Sequence, residues 1–247
     1  MFKMLKKKLT EFLQEHGIYS EPSFSFIMPA YNRAFCIEKA INSLINQEYL
    51  SWELIIVDDG SSDGTEDLIR EKYGELLKRN KIRYIRTEHS GVCAARNLGV
   101  SLAKNKWVGC LDTDNEMCKD YLTMFKRAIL KNKRSKCFYA QIQTLSGAIL
   151  GRPFVYEELL RANHIDIGVF IYHKSLVEKY GGYDVNLKRL EDWELIIRYT
   201  KENFPIFIEK PLLLYDDSNE HERITNKESF DEAHDYRLKK HNIKSES

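Results

Sequence analysis

The sequence predicts an α/β protein: a mostly parallel central sheet with helices on both faces, preceded by an N-terminal amphipathic helix. Three observations predict it. "ELIIV" (53–57) is a short, unbroken apolar run, as expected of a parallel strand covered on both faces. Runs of this kind alternate with segments whose apolar residues recur at helical spacing, which implies right-handed βαβ units. The polar turns "PAYN", "DDGSSDG" and "DTD" all follow such strands, where ligands gather in open parallel sheets.

The elements follow in order. "MFKMLKKKLTEFLQ" puts Phe2, Leu5, Leu9, Phe12 and Leu13 on one helical face beside Lys3, Lys6, Lys7 and Lys8. Such a helix caps the fold with solvated lysines or lies on an anionic membrane surface. "FSFIM" is a strand stopped by Pro29, and Ile37, Ala40, Ile41, Leu44 and Ile45 carry a helix. After "ELIIV", the cluster "DDGSSDGT" suits a turn and a helix start, and Leu68, Ile69, Leu76 and Leu77 carry that helix. "IRYIR" is a third strand. "VCAARNLGVSLA" is a small-residue helix able to pack close to the sheet, and "WVGCL" is a fourth strand. Beyond Asp114 the regularity loosens. A helix spans Tyr121 to Leu130, "CFYAQIQ" and "IGVFIY" read as strands, and Glu191 to Glu202 reads as a helix. From Asp216 the chain is polar and reads as a peripheral loop and helix. Four units result: residues 1–22, 23–115, 116–215 and 216–247.

Composition narrows the function. With 247 residues, 43% of them apolar and 30% charged, the chain has the makeup of a globular protein with a sizeable core. A formal net charge of +1 gives no global field to attract nucleic acid. The five cysteines (Cys36, Cys93, Cys110, Cys118, Cys137) are odd in number and lack zinc spacing, which favours free thiols in a reducing cytosol. No stretch is long and apolar enough to span a bilayer, and no signal peptide is visible. The expectation is a cytoplasmic protein, with peripheral contact at the inner face of the membrane open to the N-terminal helix.

The chemistry concentrates at the strand ends. "CLDTDNEM" sends Asp112 and Asp114 out of a buried strand into one small space, where like charges repel. Either they sit in a solvated turn with a helix cap, or they hold a divalent cation, since Mg²⁺ takes one or two carboxylates plus phosphate oxygens. Asp58 ends another strand and is placed to accept hydrogen bonds from a base or ribose; Asp63 and Thr65 fit loop and cap roles. Tyr31 follows the first strand, where its ring stacks on a nucleobase or covers the core. Arg96, on the small-residue helix, faces phosphate or the acid pair, or else makes a surface ion pair of little value.

Taken together, "FIMPAYNRAFCIEKAINSLINQEYLSWELIIVDDGSSDGT", "GVCAARNLG", "LDTD" and "GGYDVNLKRLEDWELIIRY" resemble an inverting family 2 glycosyltransferase of the GT-A fold, over roughly 23–215. The resemblance implies that Asp58 reads uracil or ribose and that Tyr31, with Pro29 and Ala30, packs on the base. It implies that Arg96 lies beside the nucleotide. Asp112 would touch ribose or metal-bound water, and Asp114 would ligate Mn²⁺ or Mg²⁺. In the pair Glu191–Asp192, the aspartate would be the general base. The implied reaction moves one hexose or N-acetylhexosamine from a UDP-sugar to a hydroxyl of a glycan or lipid-linked acceptor, with inversion, in surface polysaccharide synthesis. His221, in "LLLYDDSNEHERIT", stands near where the family often has a metal-site histidine, but aspartates replace the usual basic residue. It is a metal ligand or a solvated loop histidine. His89 and His173 have less claim. The Gln-x-x-Arg-Trp signature of processive synthases is absent.

Rival classes meet specific objections. A nucleotidylyltransferase needs a Gly-rich loop after the first strand, and "PAYNRAF" has no glycine. A dinucleotide-dependent dehydrogenase needs a G-x-G-x-x-G after a strand. The alternative that keeps the fold is a non-catalytic glycan- or nucleotide-binding subunit, yet Asp114 and Asp192 are both present.

Overall fold

The structure is a computed structural model that describes residues 21–217 and 230–241. The expected N-terminal helix, and His221, lie outside the described residues.

The first half is a run of βα units. Strands β1 (Phe24–Ala30), β2 (Trp52–Asp58), β3 (Ile82–Arg86) and β4 (Trp107–Cys110) are separated by helices α1 (Ile37–Ile45), α2 (Thr65–Lys78) and α3 (Val92–Leu102). These strands pair in parallel in the order β3-β2-β1-β4. Successive side chains of a strand point to opposite faces. Phe24, Phe26 and Met28 therefore meet Ile37, Ile41 and Leu44 of α1 on one face. Ile27 joins Ile55, Val57 and Val100 on the other. Both faces are covered, which explains why "ELIIV" is apolar throughout.

Helix α3 lies very close to β1, as its small residues suggest. A Cβ on Gly99 would stand 2.3 Å from Ile27 Cγ2, so only glycine lets the helix approach this far.

Strand β1 does not stop at Pro29 but runs through it to Ala30, with Pro29 opposite Val57. Strand β4 pairs with β1 only as far as Ile27–Cys110. At Pro29 the missing N–H therefore falls where no strand waits on that side.

The second half turns the sheet mixed. Strands β5 (Glu116–Met117), β6 (Cys137–Thr144), β7 (Ile149–Leu150), β8 (Phe170–His173) and β9 (Ile206–Tyr215) extend it in the order β4-β8-β6-β9-β5. The β4–β8 and β6–β8 pairs are antiparallel and β6–β9 is parallel. "IGVFIY" is only partly strand: Ile167–Val169 form a 3-10 turn capped by Asp166, whose carboxylate accepts from Gly168 N at 2.8 Å. Helices α4 (Tyr121–Lys131), α5 (Tyr156–Arg161), α6 (Ser175–Tyr180) and α7 (Glu191–Thr200) cover this half. The apolar face of α7, with Trp193, Ile196 and Ile197, joins the same core cluster as Ile27.

The C-terminal helix α8 (Phe230–His241) is more than a peripheral tail, because Arg237 is fully buried. Sequence pattern misses this, since the helix anchors itself through polar and aromatic groups rather than an apolar stripe. All five cysteines are free. No helix among the described residues is long and apolar enough to cross a membrane.

Candidate active site

The carboxyl ends of β1, β2 and β4 carry the site. Two loops are stitched together there, because short polar side chains satisfy backbone N–H groups that no strand reaches. Asn32 N donates to Ser61 Oγ and Ser62 N to Asn32 Oδ1, both at 2.8 Å, while Ala34 N donates to Asp63 Oδ2 at 2.9 Å. Asn32 adopts φ 53°, a left-handed conformation that asparagine tolerates better than most residues. Asp63 thus keeps the loop role its sequence suggested.

Asp58 ends β2 fully buried. Its Oδ1 accepts from Ser61 N at 2.7 Å, and Tyr84 of β3 donates its hydroxyl to Oδ2. Burial, and then this bond to Asp58, push the Tyr84 phenol far up, so it stays a donor. A carboxylate has about four acceptor sites, so Asp58 retains capacity for a ligand. Asp59 faces the other way. It accepts from Ser90 N at 2.8 Å and Gly91 N at 2.9 Å, holding the entry to α3. His89 Nδ1 lies 2.8 Å from Asp59 Oδ2, and Tyr31 stacks on the His89 ring at 4.2 Å between centroids. The Tyr31 face is therefore already matched to an aromatic partner, and His89 is a satisfied, exposed histidine held by Asp59 and Tyr31. Pro29 and Ala30 pair with Val57 and Asp58 directly below this stack.

Arg96 is the junction. It is 5% exposed and projects from α3 with Nη2 donating to Asp112 Oδ1 at 3.0 Å and Nη1 to Glu191 Oε1 at 2.7 Å. Its guanidinium also lies 5.3 Å from the centre of the Tyr183 ring. One cation thus joins the turn after β4 to the first turn of α7. Asp112 and Asp114 flank buried Thr113 in a turn closed by Asn115 N on Asp112 O at 3.3 Å.

A third acid, Asp166, belongs to this cluster. Burial first, and then the Asp112 and Asp114 charges, raise its pKa to about 6, against the pull of Gly168 N and Arg96. Sequence reading missed Asp166 because it sits in an irregular loop more than fifty positions from Asp112.

Asp192 opens α7 beside Glu191. Its Oδ1 accepts from Trp193 N at 2.7 Å. Burial, reinforced by the Glu191 charge and opposed by Arg96, pushes its pKa up to about 7. Leu190, just before the pair, holds φ 62°, a strained conformation for a branched side chain.

The acids suit a hard divalent cation in chemistry: oxygen donors gathered at one strand end, with the Arg96 guanidinium divided between Asp112 and Glu191. Among the described residues, however, no group of three or more His, Cys, Asp or Glu side chains converges as a complete metal cage.

Comparison with known proteins places the chain. A 27% identical relative over 186 residues, covering 72% of this chain and 70% of its own length, is the UDP-Glc:alpha-D-GlcNAc-diphosphoundecaprenol beta-1,3-glucosyltransferase WfgD of Escherichia coli. S. aureus TarS in complex with UDP-GlcNAc shares the fold at a TM-score of 0.70 and 18% identity, over 84% of this chain and 62% of that one. The mannosyltransferase PcManGT from Pyrobaculum calidifontis, in complex with GDP-Man and Mn2+, does so at 0.64 and 19%, over 82% and 59%. Other curated relatives are matched over less of their length: 15% of one and 40% of another. The model of glycosyl transferase family 2 matches residues 25–153, just over half the sequence and all the strand ends described above. With its GT-A architecture, this chain belongs to glycosyl transferase family 2.

Proposed function

We propose that the protein is a metal-dependent inverting hexosyltransferase. It moves one hexose or N-acetylhexosamine from a UDP-sugar to a hydroxyl of a glycan or lipid-linked acceptor in surface polysaccharide synthesis. The observation that carries the reading is the Arg96 bridge, which sets Glu191–Asp192 against the strand end bearing Asp112 and Asp114. The WfgD relative, named for UDP-Glc, supports the donor class, and the Mn2+ complex of PcManGT supports the cation.

In this reading Asp58 receives hydrogen bonds from uracil or ribose, and Tyr31 with His89 forms the aromatic wall beside the base. Asp114, with Asp112, would hold Mn²⁺ or Mg²⁺; when bound, the ion supplies Lewis-acid stabilisation of the leaving diphosphate. Arg96 keeps Asp112 and Glu191 together as negative charge gathers. Asp192 takes the proton from the acceptor hydroxyl as its oxygen bonds to the anomeric carbon. The bond to the diphosphate breaks on the opposite side, UDP leaves with the electron pair, and an α-linked donor gives a β product. A carboxyl held near neutrality is a better base than an ordinary one. Residues 1–22 carry the apolar stripe and lysines for peripheral attachment to anionic lipid, close to a lipid-linked acceptor.

The test is Asp192→Asn, which keeps shape and removes basicity. Turnover of UDP-glucose or UDP-N-acetylglucosamine, followed as slow hydrolysis where no acceptor is supplied, should fall about 10²–10⁴-fold. UDP affinity should change little. Near-normal turnover in a folded variant would leave Asp192 as a helix-capping acid only.

A further inference from the structure

Helix α8 grips the chain on both sides of Glu191–Asp192. On the near side, Tyr236 and Lys240 donate to Asp184 Oδ2 at 2.9 and 2.6 Å. The Arg189 guanidinium lies over the Phe230 ring at 5.1 Å. On the far side, Lys240 and His241 reach the fully buried Glu194 at 3.0 and 3.2 Å. Between these, Arg237 lies with its guanidinium 3.7 Å from the centre of the Trp193 ring.

Arg237 is an expensive residue to place there. It is fully buried, its Nε has no hydrogen-bond partner among the described residues, and burial lowers its pKa to about 10. Its other contacts are the Leu160 carbonyl at 3.1 Å and His234 Nδ1 at 3.3 Å. A shape-matched apolar side chain would avoid the desolvation cost of the cation.

What the cation does is fix Trp193. The indole is held on one side by its Nε1–H on the Leu159 carbonyl at 2.7 Å and on its face by Arg237. Trp193 N in turn binds Asp192 Oδ1. The backbone N–H that holds the Asp192 carboxylate thus belongs to the residue whose indole is pinned.

We propose that α8 is part of the catalytic apparatus, and that Arg237 is a positioning residue that sets the Asp192 carboxylate through Trp193. This rests on Asp192 being the base.

The test uses the full chain with Arg237→Met, which keeps the stem and removes the cation, and Arg237→Lys, which keeps a cation. UDP with Mn²⁺ serves as the binding probe, UDP-glucose hydrolysis as the rate. Arg237→Met should hydrolyse at least tenfold more slowly, bind UDP within twofold of wild type, and unfold at an unchanged or higher temperature. Arg237→Lys should recover much of the rate. In an Asp192→Asn background, Arg237→Met should add no further loss, because the group it positions is gone. The proposal is overturned by any of four outcomes: a methionine variant with normal hydrolysis, one that no longer binds UDP, a lysine variant no better than methionine, or a loss that multiplies with that of Asp192→Asn. Failure of the base reading has a different signature, since Asp192→Asn alone would then hydrolyse like wild type.

Discussion

At the scale of the residue, Arg96 and Asp192 have opposed electrostatics. Arg96 is a buried cation with two acidic partners, and Asp192 is a buried acid that the neighbouring Glu191 charge repels. The sign of the pH dependence follows. Burial and Glu191 favour the protonated form of Asp192, and a base works only deprotonated. Turnover should therefore rise with pH through a midpoint near the raised value of about 7 and level off above it. Glu191→Gln removes one of the charges that raise it, so the midpoint should move to lower pH. A pH–rate profile whose acid limb lies at about 4, the ordinary carboxylate range, would remove Asp192 from the base role. The placement of Asp58 at a strand end, of Asp112 and Asp114 just past one, and of Arg96 within the small-residue helix was legible because those elements have a clear period. Tyr84, Asp166 and Arg237 were not, because their partners Asp58, Asp112 and Trp193 are brought to them only by the sheet and the docked helix.

At the scale of the element, the parallel half was readable and the rest much less so. Strands β1 to β4 are covered on both faces, and unbroken apolar runs signal this directly. Strand β9 left a weaker trace. Lys210–Pro211 interrupts its apolar pattern, where its pairing with β6 shifts register between Ala140 and Ile142. Helix α8 is polar all round and holds by ion pairs and ring contacts, which no hydrophobic period reports. The close approach of α3 to β1 makes a test at this scale, since α3 carries Arg96. Gly99→Ala would put a Cβ 2.3 Å from Ile27 and should destabilise by about 1–3 kcal/mol, the usual cost of overpacking. Gly74→Ala in α2 meets nothing within 4 Å, and helix propensity alone should make it neutral or stabilising by up to about 1 kcal/mol. Thermal or denaturant unfolding of the two variants checks this: equal effects would mean that α3 does not sit tightly on the sheet.

At the scale of the whole molecule, a parallel half and a mixed half share one sheet across the β4–β8 pair. Arg96 joins the two halves through Asp112 and Glu191, and α8 is tied to the second half through Glu194. This explains why acids that repel one another can face a common space. Arg96 shares its charge between Asp112 and Glu191, and on the reading proposed above a cation that arrives with a diphosphate completes the balance. In that reading the strand-end carboxylates form a nucleotide-sugar site whose affinity depends on metal. Calorimetric titration of UDP in Mn²⁺ and in EDTA, on the wild type and on Asp114→Asn, tests this most directly. Tight binding should appear only for the wild type in Mn²⁺, and UDP at about a hundred times its dissociation constant should add roughly 2.7 kcal/mol of stability there. Equal UDP affinity in Mn²⁺ and in EDTA would contradict the account.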